Sequence, residues 1–557
     1  MKRIVILGGG FGGIYTATHL QKLFKHYRDQ YEIILVNRDN YFTYQPMLAE
    51  VVAGSLGVTD SVSSLRSLLK HTTIYIREIS NIDLEERTIT LSPNFHHTDL
   101  KISYDHLVIA LGNVTDFRKS PGGLHQHALA FKTLKDAIKL RNHLIDVMES
   151  AAIEPDPDIR KQLLTFVVGG GGFSGVEIVA EINDLVRLFA KKYPTIVPSE
   201  IRVILIHKKD RLVDKELSPS LGRYAEKLLI KRGVEIFFNH ELLSATPQEA
   251  ILHDGTRIPT STIVSTVPSN PNPLVENLPV EQIKGRIKVD PFLKVYGSDH
   301  IWALGDSAAI LLQNSEELAP PTAQFAVRQG KTLAHNIYAS CLGGELKSFH
   351  FKSLGMMASL GHRKAIAEIF GKIKLSGFIA WVLWRAIYWL KLPGFSRKLK
   401  VGFSWFIDMF VSQEFVQLKM ETQHGVTHLH YAKDETVFRK GDVGDFLYII
   451  AQGKVEVLDL FNNKEIRVAT LGKGEFFGEM ALLKQKKRNA TIKCLEDTEL
   501  IAIRKNDFHL LVTNFGNFKE EFLRTERERA QKKIAISEVG DILDFPDNDV
   551  PPHVRHG

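Results

Sequence analysis

The chain has very little cysteine: Cys341 and Cys494 are the only two in 557 residues. That excludes a disulfide framework and any C-x-x-C pair, and it suits a reducing compartment. Also missing is any run of about 20 uncharged apolar residues, so no transmembrane helix is expected. The N-terminal MKR precedes only Ile4 to Leu7 before glycines begin, too short for a signal-peptide core. His424, His428 and His430 have no partnered cysteines or carboxylates, so no metal site is expected. Acids are nearly absent from residues 352–405, where Glu368 stands alone against ten Lys/Arg. Four of the five tryptophans (Trp381, Trp384, Trp389, Trp405) fall in the same window. A basic, tryptophan-rich apolar stretch suits an anionic membrane surface, with rings at headgroup depth, and residues 372–405 are expected to make that contact. The apolar run Gly377 to Leu390 is not what a nucleic-acid patch needs, so no nucleic-acid partner is expected.

What the chain does have is two glycine-rich loops. IVILGGGFGG (4–13) and LTFVVGGGGFSG (164–175) each lead a β-branched run into G-x-G-x-x-G. The glycines are Gly8, Gly10 and Gly13, then Gly170, Gly172 and Gly175. In such a loop the first glycine makes the tight turn and the second lets backbone approach a diphosphate. The third lets the helix pack on the strand. Two of them imply two dinucleotides held at once, the arrangement of an electron-transfer flavoprotein. Hydrophobic content of 44% and charged content of 24% fit a folded globular chain. Its length implies about three or four domains.

In such a fold the second strand normally ends in an acid that binds ribose. Here the second strands, Glu32 to Val36 and Ile201 to Ile206, end in Asn37-Arg38 and in His207-Lys208-Lys209. Basic groups there can accommodate a 2′-phosphate, so NADH and NADPH both stay open. Tyr104 to Gly112 reads as a strand running into a glycine turn at Gly112. EPDPD (154–158) reads as a polar linker, Ile301 to Ala309 as a strand ending in Gly305-Asp306 and then a helix, and Pro320 to Ile337 as a helix. Residues 416–525 alternate short strands with glycine turns, and the charged, Pro-containing stretch beyond reads as a helix end and a disordered tail.

Residues 1 to about 412 resemble a type II NADH dehydrogenase, a single-subunit NAD(P)H:quinone oxidoreductase. The matching segments include IVILGGGFGG, NRDNYFTYQPMLAEVVAG (37–54), FVVGGGGFSGVE (166–177), ALGDSAA (303–309), PPTAQFAVRQG (320–330) and GFIAWVLWRAIYWLKLPG (377–394). The resemblance implies that the first loop holds FAD, with Asp306 near its ribityl-diphosphate region. It implies that the second loop holds NAD(P)H, with Glu177 near nicotinamide and flavin. Gln324 and Gln329 match the helix that lines the quinone site, and Arg328 stands where a second glutamine is often found. Hydride then passes from nicotinamide to flavin, and electrons go on to a membrane quinone without proton pumping. Disulfide reductases and sulfide:quinone oxidoreductases share the paired domains but need redox cysteines near the flavin, which this chain lacks.

The last domain resembles a cyclic nucleotide-binding domain. GDVGDFLYIIAQGKVEV (441–457) matches its β-roll signature, and FGEMALLKQKKRNAT (477–491) its phosphate-binding cassette. The resemblance implies that the backbone from Gly478 through Glu479, Met480 and Ala481 faces a cyclic phosphate. Glu479 would accept the ribose hydroxyl and Arg488 would pair the phosphate. Asn489 leaves cAMP against cGMP open, and Gln485 and Lys487 depart from the usual glycine and proline.

The expected architecture is therefore an α/β flavoprotein with paired Rossmann-like domains, an amphipathic membrane-associating helical segment and a β-roll. The boundaries expected are 1–115 with 288–345 for FAD, 116–287 for NAD(P)H, 346–412 for the membrane segment, 413–525 for the β-roll and 526–557 for the tail. The enzyme is expected to sit peripherally on the cytoplasmic side of a membrane, with a homodimer as one option for its assembly. Two other functions fit the same parts: a redox and cyclic-nucleotide signalling receptor, or a reductase of a soluble protein acceptor.

Overall fold

The computed structural model describes residues 1–504 and Phe508, apart from 93–99, 116–122, 267–269, 313–316, 409, 411–415, 418–425, 443, 445, 462–463, 485–486 and 505–507. The expected tail, together with His424 and Gln485, lies outside the described residues. The chain divides into two compact units. One is Met1–Lys119, Leu129–Leu242 and Thr262–Leu418; the other is Ser120–Ala128, Leu243–Ser261 and Lys419–Gly557.

The first unit contains two parallel sheets. In one, the strands run in the order Ile301–Ala303, His106–Ile109, Lys2–Leu7, Tyr31–Asn37, Thr73–Ile76. In the other, Thr262–Ser265, Thr165–Gly169, Arg202–His207 and Val234–Phe238 follow one another in that order. Their strands are apolar without alternation because both faces are covered: Ile4 to Leu7 and Phe166 to Val168 are all fully buried. Each first strand feeds a helix through its glycine loop, Phe11–Leu23 in one fold and Phe173–Ala190 in the other.

Local chemistry revises several expected boundaries. Asn37 and His207 are the last residues of their strands, not the first residues beyond them. EPDPD does more than link: Asp156 accepts N–H bonds from Asp158 and Ile159 and caps a helix, Pro157–Leu163. Gly305–Ser307 form a single tight turn, and the next long helix, Ala323–Leu342, begins only after Thr322.

A three-stranded sheet (Gly355–Ser359, Ala365–Ile369, Ile373–Ser376) leads into two helices, Gly377–Lys391 and Phe395–Ile407. No helix among the described residues is long and apolar enough to cross a membrane. The helices correct one expectation. Trp381, Trp384 and Trp405 face inward, and the apolar residues turned to solvent include Phe378, Ile379, Val382, Phe395, Leu399 and Phe403. Two of the rings flank one partly buried cation: the Arg385 guanidinium lies 4.3 Å from the Trp381 ring and 4.7 Å from that of Trp405.

In the second unit, two four-stranded sheets pack around Tyr431, Phe438, Tyr448, Ile450 and Phe477. One runs Val426–Tyr431, Thr498–Arg504, Phe446–Gln452, Phe476–Phe477. The other runs Thr436–Phe438, Thr491–Cys494, Val455–Phe461, Lys464–Leu471. The short helix Glu479–Lys484 follows the first sheet's last strand. A further three-stranded sheet is formed by Leu242–Ala245, Glu249–Leu252 and Arg257–Pro259.

Candidate functional site

The two glycine loops are built alike. Gly8 and Gly170 turn at φ +104° and +109°, in the left-handed region that glycine tolerates. A side chain at Gly13 would strike the Gly8 carbonyl, and one at Gly175 the Gly170 carbonyl. At Gly10 a side chain would meet nothing within 4 Å, so the backbone of the first loop is open to a diphosphate. At Gly172 it would meet the Glu216 carboxylate at 3.0 Å.

The two strand-end residues share a role that their identities do not announce. Asn37 Oδ1 accepts the Gly9 N–H at 2.8 Å, and its Nδ2 donates to the Asp39 carbonyl at 2.7 Å. His207 Nδ1 accepts the Gly171 N–H at 3.1 Å, and its Nε2 donates to the Arg211 carbonyl at 3.0 Å. Each therefore clamps the middle of its own loop. An Nδ1 that accepts from backbone carries no proton, so this imidazole is neutral. Burial also pulls its pKa down, against the raising effect of Asp214 at 3.6 Å. Of the neighbouring cations, Arg211 donates to Leu217 and Asp214 carbonyls, and Lys208 pairs with Glu241 at 3.3 Å. Arg38 pairs with Asp39 at the surface, 3.2 Å away.

Around the first loop, distant segments converge. The Gly112 N–H donates to Ser307 Oγ at 2.8 Å, and the Gly305 N–H donates to Gln329 Oε1 at 2.9 Å. Burial pushes the Asp306 carboxyl up, opposed by Lys132 and Arg286, while burial pulls Lys132 down to about 8. Arg286 also donates to the Asp306 carbonyl at 3.1 Å. These residues fit a diphosphate-bearing cofactor: an open glycine loop with two cations close to one carboxylate. Neither Lys132 nor Arg286 sits in a motif, so the sequence carried no signal for them.

Gln324 and Gln329 go to different partners. Gln329 is buried on the Gly305 turn. Gln324 Nε2 donates to Ser353 Oγ at 3.0 Å and to the Gly355 carbonyl at 3.1 Å, tying the helix to the following sheet. Arg328 lies over the Phe351 ring at 4.0 Å and donates to the Gln324 carbonyl at 2.8 Å.

Glu177 accepts the Ser359 N–H at 3.0 Å, and burial pushes its carboxyl up to about 8. One helical turn on, burial pushes Glu181 up to about 8 as well, with Glu50 adding to both shifts. Glu50 accepts the Trp405 indole N–H at 2.9 Å and faces Arg385 at 3.4 Å. Burial raises the Glu50 carboxyl, and Arg385 and Trp405 oppose it. Glu181 joins the site from a position that no pattern marked, and Glu50 from within the 37–54 segment, where nothing singled it out. The raised pair gives a pH prediction. A carboxyl whose folded pKa lies above its unfolded value stabilises fully below the unfolded value of 4.5, and that contribution is lost as pH rises through about 8. Melting temperature is therefore expected to fall between about pH 5 and pH 9, and Glu181→Gln to flatten that fall. An identical slope in the variant would remove Glu181 from the explanation.

In the β-roll, Arg488 is buried and donates to the Gly478 carbonyl at 2.6 Å and the Phe446 carbonyl at 2.7 Å. Its guanidinium stacks on Phe438 at 4.1 Å. Glu479 is also buried, and Asn489 Nδ2 donates to Met480 Sδ at 3.1 Å. Ala481 lies within the short helix. Among the described residues no three His, Cys, Asp or Glu gather to hold a metal ion. His430 instead bonds Glu499 at 2.7 Å. Both thiols are protonated at neutral pH, since burial pushes Cys341 up to about 11 and Cys494 up to about 12.

Paired dinucleotide-binding folds of this kind define a pyridine nucleotide oxidoreductase. The sequence matches the pyridine nucleotide-disulphide oxidoreductase family over residues 2–330, the NDH2 C-terminal domain over 353–414 and the cyclic nucleotide-binding domain over 428–514. It is 31% identical over 410 residues to the demethylphylloquinone reductase NdbB of Synechocystis, covering 72% of this chain and 95% of that relative. It is 30% identical to the type II NADH:quinone oxidoreductase Ndh of Mycobacterium tuberculosis, covering 76% of this chain and 90% of that one. The solved structure of NDH2 from Plasmodium falciparum in complex with NADH has the same fold, with a TM-score of 0.68 at 19% identity, covering 74% of this chain and 99% of that one. The chain belongs to the type II NADH:quinone oxidoreductases of this family and carries a cyclic nucleotide-binding domain at its C-terminal end.

Proposed function

We propose that the protein is a peripheral NAD(P)H:quinone oxidoreductase that holds FAD in the first glycine loop and responds to a cyclic nucleotide. The observation that carries this reading is the Gln329–Gly305 bond. It joins the helix matched to the quinone site to the Gly305–Asp306 turn, and the same helix, at Gly330, lies against the Gly12 carbonyl of the first loop. A bound flavin would supply the two-electron relay between nicotinamide and quinone. The chain's own residues do the rest. Gly8, Gly10 and Gly13 accommodate a diphosphate, with Asp306, Lys132 and Arg286 beside it. The second loop, clamped by His207, receives NAD(P)H. Glu177 and Glu181 hold protons on their carboxyls at neutral pH, a local store for a reaction that ends in a quinol.

Membrane contact has its support in the outward face of helices Gly377–Lys391 and Phe395–Ile407. Phe378, Ile379, Phe395, Leu399 and Phe403 are exposed there, on the segment where ten Lys/Arg stand against Glu368 alone. The purified protein should be yellow and should reduce a soluble quinone with NADH or NADPH. A colourless protein, or a flavoprotein that no quinone oxidises, overturns the reading. It should bind anionic vesicles, and Phe395→Asp with Phe403→Asp should release it from them while turnover with a soluble quinone persists. A melting temperature raised by cAMP or cGMP, and unmoved in Arg488→Ala, tests the regulatory half.

A further inference from the structure

Residues 243–261 make an excursion from the second dinucleotide fold. They leave after strand Val234–Phe238, return at Thr262–Ser265, and belong to the compact unit of the β-roll. Within that unit, Arg439 Nε lies 3.7 Å from Glu249 Oε1, and Arg257 reaches the same oxygen at 3.3 Å. A second contact places the Tyr431 hydroxyl 3.5 Å from His127 Nε2.

We propose that the cyclic nucleotide-binding domain acts on the NAD(P)H-binding half, and not on the quinone end, through the Arg439–Glu249 contact. The proposal rests on the reading that this domain binds a cyclic nucleotide.

On the β-roll side the contact is tied to Arg488. Arg439 directly follows Phe438, the ring on which the Arg488 guanidinium lies. The turn from Arg439 to Asp442 is closed by the Asp442 carboxylate, which accepts the Arg439 N–H at 2.7 Å. That turn exchanges two backbone bonds with Arg488: Gly441 N–H to the Arg488 carbonyl at 2.8 Å, and Arg488 N–H to the Asp442 carbonyl at 2.6 Å. Arg488 thus has two uses for its side chain. It now donates to the Gly478 and Phe446 carbonyls, and a cyclic phosphate would compete for the same donors. Redirecting the guanidinium moves it on Phe438, and Arg439 is the next residue.

On the other side, Glu249 leads to the second glycine loop. Its carbonyl accepts the Thr246 N–H at 3.0 Å, and its strand is the sheet neighbour of Leu242–Ala245. The Leu242 side chain lies 3.4 Å from where Gly169 would carry a Cβ. Gly169 immediately precedes Gly170, the turning glycine of that loop. A shift of the 243–261 sheet is therefore delivered to the backbone that would receive the NAD(P)H diphosphate. The path onward to Gln324 is longer, running through helix Phe173–Ala190, the Glu177–Ser359 bond and the strand Gly355–Ser359, so the nicotinamide loop is the nearer target. Coupling through two-state contacts of this kind typically amounts to about fivefold or more in affinity.

The test uses the full-length protein, cAMP and cGMP as probes, and separate NADH and soluble-quinone titrations. A nucleotide that raises the melting temperature is expected to change the KM for NADH by about fivefold or more and to leave the quinone KM within about twofold. Glu249→Gln and Arg439→Gln are expected to keep basal turnover and the melting shift, and to lose the effect on NADH. An effect that survives in both variants, that falls on the quinone KM, or that is absent from wild type despite a melting shift overturns the coupling alone. If neither nucleotide shifts melting or rate, the reading beneath it fails and the coupling with it.

Discussion

Gly13→Ala is expected to yield a colourless protein, and Gly175→Ala a yellow one that NADH hardly reduces. The two substitutions are chemically identical and fall at equivalent points of equivalent loops. In each, the added methyl would strike the carbonyl of the loop's own first glycine, Gly8 or Gly170. That oxygen belongs to the backbone and has no rotamer in which to retreat. The helix must move off its strand, and the loop's N–H groups move with it. Misplacement by about an ångström costs roughly 100-fold in a positioned reaction, so NADH-dependent kcat/KM should drop by at least that in Gly175→Ala. Absorbance near the flavin bands and reduction by dithionite separate the outcomes. Dithionite should still bleach Gly175→Ala. Equal flavin loss in both variants would deny that the loops hold different dinucleotides.

Glu50→Ala carries the largest expected loss of stability. Glu50 lies in the core, with Arg385 at 3.4 Å and the Trp405 indole N–H bonded to it at 2.9 Å. Its removal leaves a guanidinium short of a charge partner, with Asp408 at 3.6 Å the carboxylate that remains. Removing one member of a buried pair typically costs about 3–5 kcal/mol. Glu50→Gln keeps an acceptor for the indole and should lose less. Because Arg385 and Trp405 belong to the two outward-facing helices, Glu50→Ala should also weaken vesicle binding. Chemical denaturation and vesicle flotation check both. A stability change below about 1 kcal/mol would show that Arg385 re-pairs with Asp408 at little cost.

Both phosphate loops were legible because backbone geometry demands glycine there, and that demand leaves its mark on residue type. The parallel sheets were legible too, since strands covered on both faces become continuous apolar runs. Partner identity was less so. Asn37 and His207 read as cofactor contacts in place of the usual acids, yet each holds the N–H of its loop's middle glycine. The same side chain at a strand end can face a ribose or turn back, and residue type does not say which. The tryptophan cluster shows the same limit: composition marked the helices, but two of the rings flank Arg385 and phenylalanines lie outside. Gln324 and Gln329 stand five residues apart on one helix and take partners on different sides of it. Glu249 and Arg439 meet although everything from Thr262–Ser265 to helix Phe395–Ile407 lies between them in sequence. No local pattern reports such a pairing.

The strand order of the first sheet has a consequence for how the protein is made. His106–Ile109 is held between Lys2–Leu7 and Ile301–Ala303, and the loop's Gly305 turn waits for Gln329. The strands of the second sheet named above, from Thr165–Gly169 to Thr262–Ser265, emerge in a single stretch. Chains leave the ribosome from the N-terminus. The glycine loop that is synthesised first is therefore finished last. The second dinucleotide fold can close while the nascent chain still lacks the strand Ile301–Ala303 and the Gly305 turn that complete the first.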